Sequence, residues 1–318
     1  MTFPINPSTP FDEGWLAVSG GHRIAYGQYG NPHGIPAVVL HGGPGSGSSP
    51  AQRQFFDLAR YRVIQFDQRG CGRSEPVGET ANNQTGLLLE DIETLRQHLQ
   101  IPRWLVVGGS WGATLAVLYA AAYPDVVSGV LLRGLFLATK SDIDWFFQGA
   151  ATDYPVEWRT FSSLAPSEAR NELLPWLFQV FANDDAELQR RVAQGWFAWE
   201  SVLGSSPVIA APEGEVLHKL IKRYRVQSHY LQHSCWLAEG AILEACTRLN
   251  DLPVCLLHGD SDVICRPQSS QLAHQYCPGS RLEWAAGAGH NPFHPGMMKA
   301  MTDALSLFAG SGQFLSAP

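Results

Sequence analysis

The segment Gly108-Gly109-Ser110-Trp111-Gly112 constrains the fold more than any other part of the chain. An apolar run (104–107) precedes it and a helix-like run (113–122) follows it. Glycines must flank the serine in such a tight strand-to-helix turn, because a Cβ there would collide with the neighbouring strand or helix. The turn places the Ser110 hydroxyl at a helix N-terminus, where the helix dipole favours developing negative charge. The segment therefore predicts a nucleophilic serine, although an ordinary strand–helix turn is compatible with the same five residues.

A serine hydroxyl becomes a useful nucleophile only with a base beside it and an acid that orients the base. The acid is expected after a late strand. Residues 252–257 are predicted to form that strand, and two aspartates stand in the loop that follows. Asp262 is the preferred acid, because it lies one turn beyond the end of the strand and can reach inward. Asp260 is the alternative.

The base is expected in the next loop, after one further strand. Residues 281–284 are predicted to form that strand, and the small residues at 285–289 let the loop fold tightly and carry His290 over the serine. His294 stands close behind, between an aromatic residue and a proline, and is interpreted as structural. The order serine, acid, histidine along the chain predicts a hydrolytic triad.

A glycine-rich loop, His41-Gly42-Gly43-Pro44-Gly45, follows an apolar strand at 37–40. Loops of this kind allow a backbone N–H to point at a substrate carbonyl oxygen. The N–H groups of Gly43 and of Trp111, the residue after the nucleophile, are the expected pair for an oxyanion hole. A phosphate-binding loop is the alternative, but no Gly-Lys-Ser/Thr follows these glycines.

These motifs resemble those of the prolyl aminopeptidases, also called proline iminopeptidases, within the α/β-hydrolases. The resemblance runs over nearly the whole chain, and its most specific parts are the sequences HGGPG at 41–45 and FDQRGCGRS at 66–74. It implies an α/β-hydrolase fold and the release of an N-terminal residue, typically proline, from peptides through an acyl-enzyme. It also implies that neither a metal nor a cofactor takes part, and the chain has no H-E-x-x-H motif.

An aminopeptidase must recognise a protonated N-terminal nitrogen, and an anionic pocket is the physical solution. Family members place one glutamate in a Trp-x-x-Trp-Glu segment, which 196–200 matches, so the resemblance assigns that carboxylate to Glu200. A second glutamate stands in a stretch resembling R-I-E-x-H-Y, and residues 225–230 read RVQSHY. Gln227 thus replaces a charge by an amide, which is expected to weaken the hold on a cation. An esterase, amidase or lactonase on the same fold is therefore the alternative function.

Three further residues are predicted to lie near the substrate. Phe136 and Cys265 match positions that line the pyrrolidine pocket in the family, although either is also compatible with simple core packing. Arg133 either neighbours the site or holds the cap in place. The alternative for Glu200 is a solvated helix residue, but the tryptophans beside it argue against full exposure.

Strand-like and helix-like runs alternate up to residue 137 and resume near residue 246. This alternation predicts an α/β fold with a mostly parallel central sheet and helices on both faces. Residues 138–245 are helix-like and rich in Trp, Phe and Gln, which indicates an inserted helical cap between the two parts of the core, 1–137 and 246–318. Strands are expected at 23–26, 37–40, 61–66, 104–107, 129–132, 252–257 and 281–284, a helix from Thr85, a closing helix at 297–308, and a loose tail at 310–318.

The composition of the chain limits the kinds of molecule that it is expected to bind. The 318-residue chain carries a net charge of −7 and no basic run, so nucleic acids and anionic membranes are poor partners, and a small peptide or an amino-acid amide or ester is the expected substrate. The N-terminus lacks a basic-then-apolar signal segment, and no apolar stretch has the length needed to span a membrane. Six scattered cysteines suit reduced thiols better than disulfides or zinc. A cytoplasmic location is expected.

Overall fold

The computed structural model describes residues 9–204 and 210–314. The sequence prediction about a signal segment concerns residues 1–8, which lie outside these ranges, as do the last four residues of the predicted tail.

Eight strands form one sheet in the order β1-β2-β4-β3-β5-β6-β7-β8. The strands from β3 onward pair in parallel, whereas β2 is antiparallel to both β1 and β4. The fold class predicted from the sequence is confirmed, because the sheet is mostly parallel and carries helices on both faces. The strands are β1 (Asp12–Ala17), β2 (Arg23–Gly30), β3 (Ile35–Leu40), β4 (Tyr61–Phe66), β5 (Trp104–Gly109), β6 (Val127–Arg133), β7 (Val254–Gly259) and β8 (Arg281–Ala285).

Helices cover the sheet and make up the chain segment between β6 and β7, two strands that are neighbours in the sheet. In that interval the described residues contain no strand, in agreement with the helix-like pattern of the sequence. The α-helices are α1 (Thr85–His98), α2 (Trp111–Ala122), α3 (Lys140–Phe147), α4 (Pro155–Ser162), α5 (Leu173–Ala182), α6 (Ala186–Leu203), α7 (Gly214–Gln232), α8 (Ala241–Thr247), α9 (Gln268–Tyr276) and α10 (Pro295–Ser311). Helix α8 packs against α2 and α9, and the predicted boundary at residue 245 falls within it.

The two faces of the sheet bury alternate residues of each strand, as the period of two in a β-strand requires. On one face, Val38 and Val106 join a cluster that includes α1, α2 and the inner sides of the inserted helices. On the other face, Val39 and Leu105 pack against the apolar side of α10. Burial on both faces explains why the central strands are continuous apolar runs in the sequence.

Strand β1 was not predicted from the sequence. It lies at the edge of the sheet, and its residues alternate only between exposed and partly exposed positions, so its apolar pattern is weak. The predicted loose tail is also wrong for its described part. Helix α10 continues to Ser311, and Phe314 is buried against Phe308, where its carbonyl accepts a hydrogen bond from Arg281.

Candidate active site

Ser110 stands between β5 and α2 with φ 57° and ψ −126°, a backbone conformation that non-glycine residues rarely adopt. The glycines on either side of the turn, Gly108 and Gly112, have no room for a side chain. A Cβ on Gly108 would overlap the carbonyl of Gly112, and a Cβ on Gly112 would overlap the carbonyl of Leu40 in β3. The Ser110 N–H donates to the carbonyl of Arg133 at 2.9 Å, which ties the turn to β6. The sequence prediction of a tight strand-to-helix turn therefore matches the geometry.

Asp262 and His290 meet at the ends of β7 and β8. The Asp262 Oδ2 atom accepts a hydrogen bond from His290 Nδ1 at 2.7 Å, and Oδ1 accepts from the N–H groups of Ile264 and Cys265, each at 3.0 Å. Burial alone would raise the pKa of Asp262, but the neighbouring His290 and further positive groups hold this pKa below its ordinary value. The carboxylate is therefore ionised and fixed in orientation.

The alternative acid, Asp260, does not face His290. Its side chain is exposed, and Oδ1 accepts a hydrogen bond from the Gly287 N–H at 2.8 Å. His294 stands at the start of α10, where its Nδ1 accepts from the Gly296 N–H at 3.3 Å. This contact is local to the helix terminus, in line with the structural role expected from the sequence.

Arg133 holds the histidine loop in place. Its guanidinium is buried, and Nη1 donates to the carbonyl of His290 at 2.9 Å. Burial lowers the pKa of Arg133, while the charge of Asp262 raises it. A guanidinium remains protonated across the range in which proteins fold, so Arg133 contributes a fixed positive charge beside the triad. Of the two roles considered from the sequence, the neighbour of the site is the one observed.

His258 was missed by the sequence analysis. Its Nε2 donates to the Cys265 carbonyl at 2.7 Å and lies 3.5 Å from Asp262 Oδ2, and its Nδ1 accepts from the Ser270 hydroxyl at 2.6 Å. Burial lowers the pKa of His258, so the ring is neutral and serves as a rigid spacer in the acid loop. The only sequence feature that points to this role of His258 is its position at the end of β7, four residues before Asp262.

The HGGPG loop lies beside Ser110. A Cβ on Gly42 would sit 4.0 Å from Ser110 Oγ, and Gly43, with φ 121°, adopts a conformation that suits glycine alone. Gln68 joins this loop to α2. Its side-chain amide donates to the His41 carbonyl at 2.8 Å and accepts from the Trp111 indole N–H at 3.0 Å. The two segments that carry the predicted oxyanion-hole residues, Gly43 and Trp111, are thus held together by one side chain.

A cavity of about 400 Å³ opens above Ser110. The side chains of Ser110 and His290 face it, together with the predicted substrate residues Phe136, Arg133 and Cys265. The Cys265 Sγ atom lies 3.8 Å from Ser110 Oγ, and burial raises the pKa of this thiol well above its usual range. Apolar side chains from the segment after β6, from the inserted helices and from the acid loop contribute to the wall: Phe136, Ile143, Phe146, Phe147, Phe197, Leu231 and Ile264.

The far end of the cavity is polar and centred on Glu200, in α6. The Glu200 Oε2 atom accepts hydrogen bonds from Arg223 Nη2 and from the Tyr224 hydroxyl, both at 2.9 Å, and Oε1 accepts from Gln227 Nε2 at 3.1 Å. Tyr224 is fully buried and stacks on Trp196 at 4.3 Å between ring centroids. The predicted pair of Glu200 and Gln227 is therefore brought together, with an arginine that sequence reasoning did not foresee. A signal existed, because Arg223 stands four residues before Gln227 and so faces the same side of α7.

Within the described ranges, no helix is both long and apolar enough to cross a lipid bilayer. In the same part of the chain, no three His, Cys, Asp or Glu side chains are grouped as ligands for a metal ion.

Comparisons with known proteins agree with this geometry. Residues 36–296 match a family model described as the alpha/beta hydrolase fold. The chain is 37% identical to a probable proline iminopeptidase of Leptolyngbya boryana over 94% of both chains, and 38% identical to a proline iminopeptidase of Arabidopsis thaliana over 92% of this chain and 78% of the relative. Among solved structures, a putative aryl esterase of Burkholderia cenocepacia superposes with a TM-score of 0.66 at 18% identity, covering 95% of this chain and 99% of that one, a likeness of fold alone. The chain belongs to the proline iminopeptidase family of α/β-hydrolases.

Proposed function

We propose that this protein is a serine hydrolase that releases the N-terminal residue, preferably proline, from short peptides or from amino-acid amides and esters. One observation carries the proposal: the buried, ionised carboxylate of Asp262 accepts a hydrogen bond from His290, and His290 lines the same cavity as Ser110. The turn between β5 and α2 holds Ser110 in a strained backbone conformation at this cavity. The preference for proline rests on the relatives, which are named proline iminopeptidases.

In the proposed reaction, His290 takes the proton of the Ser110 hydroxyl while Oγ attacks the carbonyl carbon of the first residue. The oxyanion that forms is stabilised by the N–H groups of Gly43 and Trp111. The bond to the leaving amine then breaks, and His290 returns its proton to that amine, which leaves an acyl ester on Ser110. Water, deprotonated by His290, attacks this ester, and the proton goes back to Ser110 as the acid departs. Asp262 stays ionised throughout and stabilises the imidazolium.

The inserted helices supply the far end of the cavity, and we propose that they act as a cap that recognises the first residue. The core is then 1–137 and 246–318, and the cap is 138–245. Its last boundary falls within α8 (Ala241–Thr247), a helix that packs on α2 and α9 of the core. Glu200 and Gln227 from the cap are the groups proposed to meet the substrate nitrogen, while Phe136 and Cys265 from the core border its side chain.

The triad is tested by substitution. Ser110→Ala should lower kcat by about four orders of magnitude or more, by analogy with other triads. Asp262→Asn should lower kcat by about 10⁴, because it disturbs the tautomer and orientation of the base. Asp260→Asn is the matched control, since it removes a carboxylate from the same loop that does not touch His290. Near-normal turnover in Ser110→Ala, or a larger loss in Asp260→Asn than in Asp262→Asn, would contradict the assignment.

A metal-independent mechanism is part of the proposal, because the Ser110 route needs no metal. Activity should survive dialysis against a chelator and should be lost with a serine-directed phosphonylating reagent. Loss of activity on chelation, restored by zinc or manganese, would argue against it. A cytoplasmic location is also proposed, since all six cysteines carry buried free thiols, which suits a reducing compartment. Cell fractionation tests it.

An esterase or amidase without a requirement for a free N-terminus is the second candidate. The observation that favours it is the amide of Gln227 at the position where the family's second carboxylate is expected. A proline aryl-amide, its N-blocked form and a simple aryl ester separate the two functions. Cleavage of the N-blocked form as fast as the free form would identify an esterase or amidase.

A further inference from the structure

The carboxylate of Glu200 is already engaged in the protein. Both of its oxygens accept hydrogen bonds from the chain, and one of them is bonded to the guanidinium of Arg223 at 2.9 Å. The side chains of this ion pair are 14% and 28% exposed for Glu200 and Arg223, so solvent screens the pair only in part. A cation of the protein is therefore already bonded to the carboxylate that the proposed function assigns to the protonated nitrogen of the substrate.

Charge compensation extends over the whole cavity. The described side chains that line it include two carboxylates, Glu200 and Asp142, and two guanidiniums, Arg133 and Arg223. Asp142 is itself paired with Arg266 at 3.5 Å and accepts from a threonine hydroxyl at the start of α3. The cavity wall thus carries no excess of negative charge, and a cationic substrate nitrogen entering it loses water without meeting an unpaired anion.

The backbone that carries Arg223 is fixed. Helix α7 packs directly on the HGGPG loop, where a Cβ on Gly45 would come within 2.6 Å of the Arg223 carbonyl oxygen. The next residue, Tyr224, is locked by its stacking on Trp196 and by its bond to Glu200. A substrate cation can take the place of the guanidinium at Glu200 Oε2 if the long side chain of Arg223 rotates away, while the helix stays in place. Arg223 Nε is buried and has no hydrogen-bond partner among the described residues, so none of them holds the side chain at that atom.

We propose that Arg223 is a specificity-determining residue that competes with the substrate's protonated nitrogen for Glu200. This inference rests on the proposed function, because it concerns the same pocket. Its consequence is that the protein prefers a first residue with a charged nitrogen over one with an uncharged, N-acylated nitrogen less strongly than it would without the charge of Arg223. Removal of this charge frees the Glu200 carboxylate and strengthens the preference for the charged form.

The experiment compares kcat/KM for L-proline para-nitroanilide with that for its N-acetylated form. Arg223→Met should raise the free-to-acetylated ratio by about tenfold or more, the effect of about 1.4 kcal/mol of differential binding. The gain should lie mainly in KM of the free substrate, because the acyl-transfer groups are untouched. The ratio cancels any loss of folded enzyme, which affects both substrates equally.

Two control variants separate the charge at Glu200 from other effects. Arg225→Met removes the same charge from the same helix, but Arg225 neighbours Glu79 and is not part of the cavity wall, so the ratio should stay at the wild-type value. Arg223→Lys keeps a cation near Glu200 and should leave the ratio close to that of the wild type. An unchanged or lower ratio in Arg223→Met, or an equal rise in Arg225→Met, would overturn the proposal.

A binding measurement keeps the test independent of turnover on aryl-amides. L-Prolinamide and N-acetyl-prolinamide are used as competitive inhibitors of aryl-ester cleavage. Arg223→Met should lower the inhibition constant of prolinamide by about tenfold and leave that of the acetylated compound unchanged. Failure of the wild type to cleave any prolyl substrate would count against the proposed function, whereas an unchanged prolinamide constant in Arg223→Met would count against the role of Arg223.

Discussion

Substitution of Gln68 by Met tests how the predicted oxyanion-hole segments are held together. Gln68 is 2% exposed, and its amide bridges the His41 carbonyl and the indole N–H of Trp111, which is fully buried. Methionine has a similar length and no amide, so the variant fills the same space while it removes both side-chain hydrogen bonds. The backbone N–H of Gln68, which donates to His41 Nε2 at 3.0 Å, is kept.

The expected loss in the free energy of unfolding follows from the buried polar groups that lose their hydrogen-bond partner. A buried donor or acceptor that loses its partner costs about 1–3 kcal/mol. Gln68→Met leaves two such groups, the His41 carbonyl and the Trp111 indole N–H, so the free energy of unfolding should fall by about 2–6 kcal/mol. Turnover should fall by about tenfold to a hundredfold as well, because the loop that carries Gly43 and the start of α2 lose their common anchor.

A double-mutant cycle isolates the bridge. Urea denaturation gives the free energy of unfolding for wild type, Gln68→Met, Trp111→Phe and the double variant. Trp111→Phe also loses packing, but that loss cancels in the cycle, and the coupling energy should be about 1–2 kcal/mol. A coupling below about 0.3 kcal/mol, the level at which independent sites add, would refute the bridge.

Two further predictions concern stability. Arg69→Met should lower the free energy of unfolding by about 3–5 kcal/mol, because it leaves the carboxylate of Asp91, 2% exposed, without its partner. Arg23→Met, which breaks a half-exposed pair with Glu75, should cost less than about 1 kcal/mol, and equal losses would contradict the argument. Burial lowers the pKa of His258 and lowers that of His229 to about 4, so these rings stay neutral in the folded state while the unfolded chain takes up protons first. The free energy of unfolding should therefore fall as pH drops from about 6.5 towards 4, and urea midpoints that stay flat or rise over this range would disprove it.

The parts of the fold that could be predicted from the sequence are those set by local patterns. Continuous apolar runs predicted β3 and β5, because strands buried on both faces need no polar alternation. Glycines predicted the turn at Ser110, since the backbone there excludes a Cβ. Edge strand β1 was not predicted, because its side chains are mostly exposed and its pairing with β2 depends on a partner outside its own sequence.

In the candidate site too, local patterns predicted some residues, whereas contacts between distant segments were not predicted. Asp262 was chosen over Asp260 from its distance beyond β7, a local measure, and it is the residue bonded to His290. The bridges made by Gln68 and Arg223 were not foreseen, because they join segments 23 to 43 residues apart whose contact is decided by tertiary packing. Helical spacing places Arg223 on the same side of α7 as Gln227, but it does not say that α6 presents Glu200 to that side.

Two side chains at the polar end of the cavity, Arg223 and Gln227, determine the net charge around Glu200. The amide of Gln227 is uncharged, and the guanidinium of Arg223 compensates the carboxylate of Glu200, so the cluster of these three side chains has a net charge near zero. Arg223→Met and Gln227→Glu each bring this charge to −1 by different routes. If net charge governs the preference for a protonated nitrogen, both single variants should shift the free-to-acetylated ratio the same way and the double variant further. If instead the position of the donor atoms governs it, only Arg223→Met should act, because Gln227→Glu also removes the amide that steadies Glu200 Oε1.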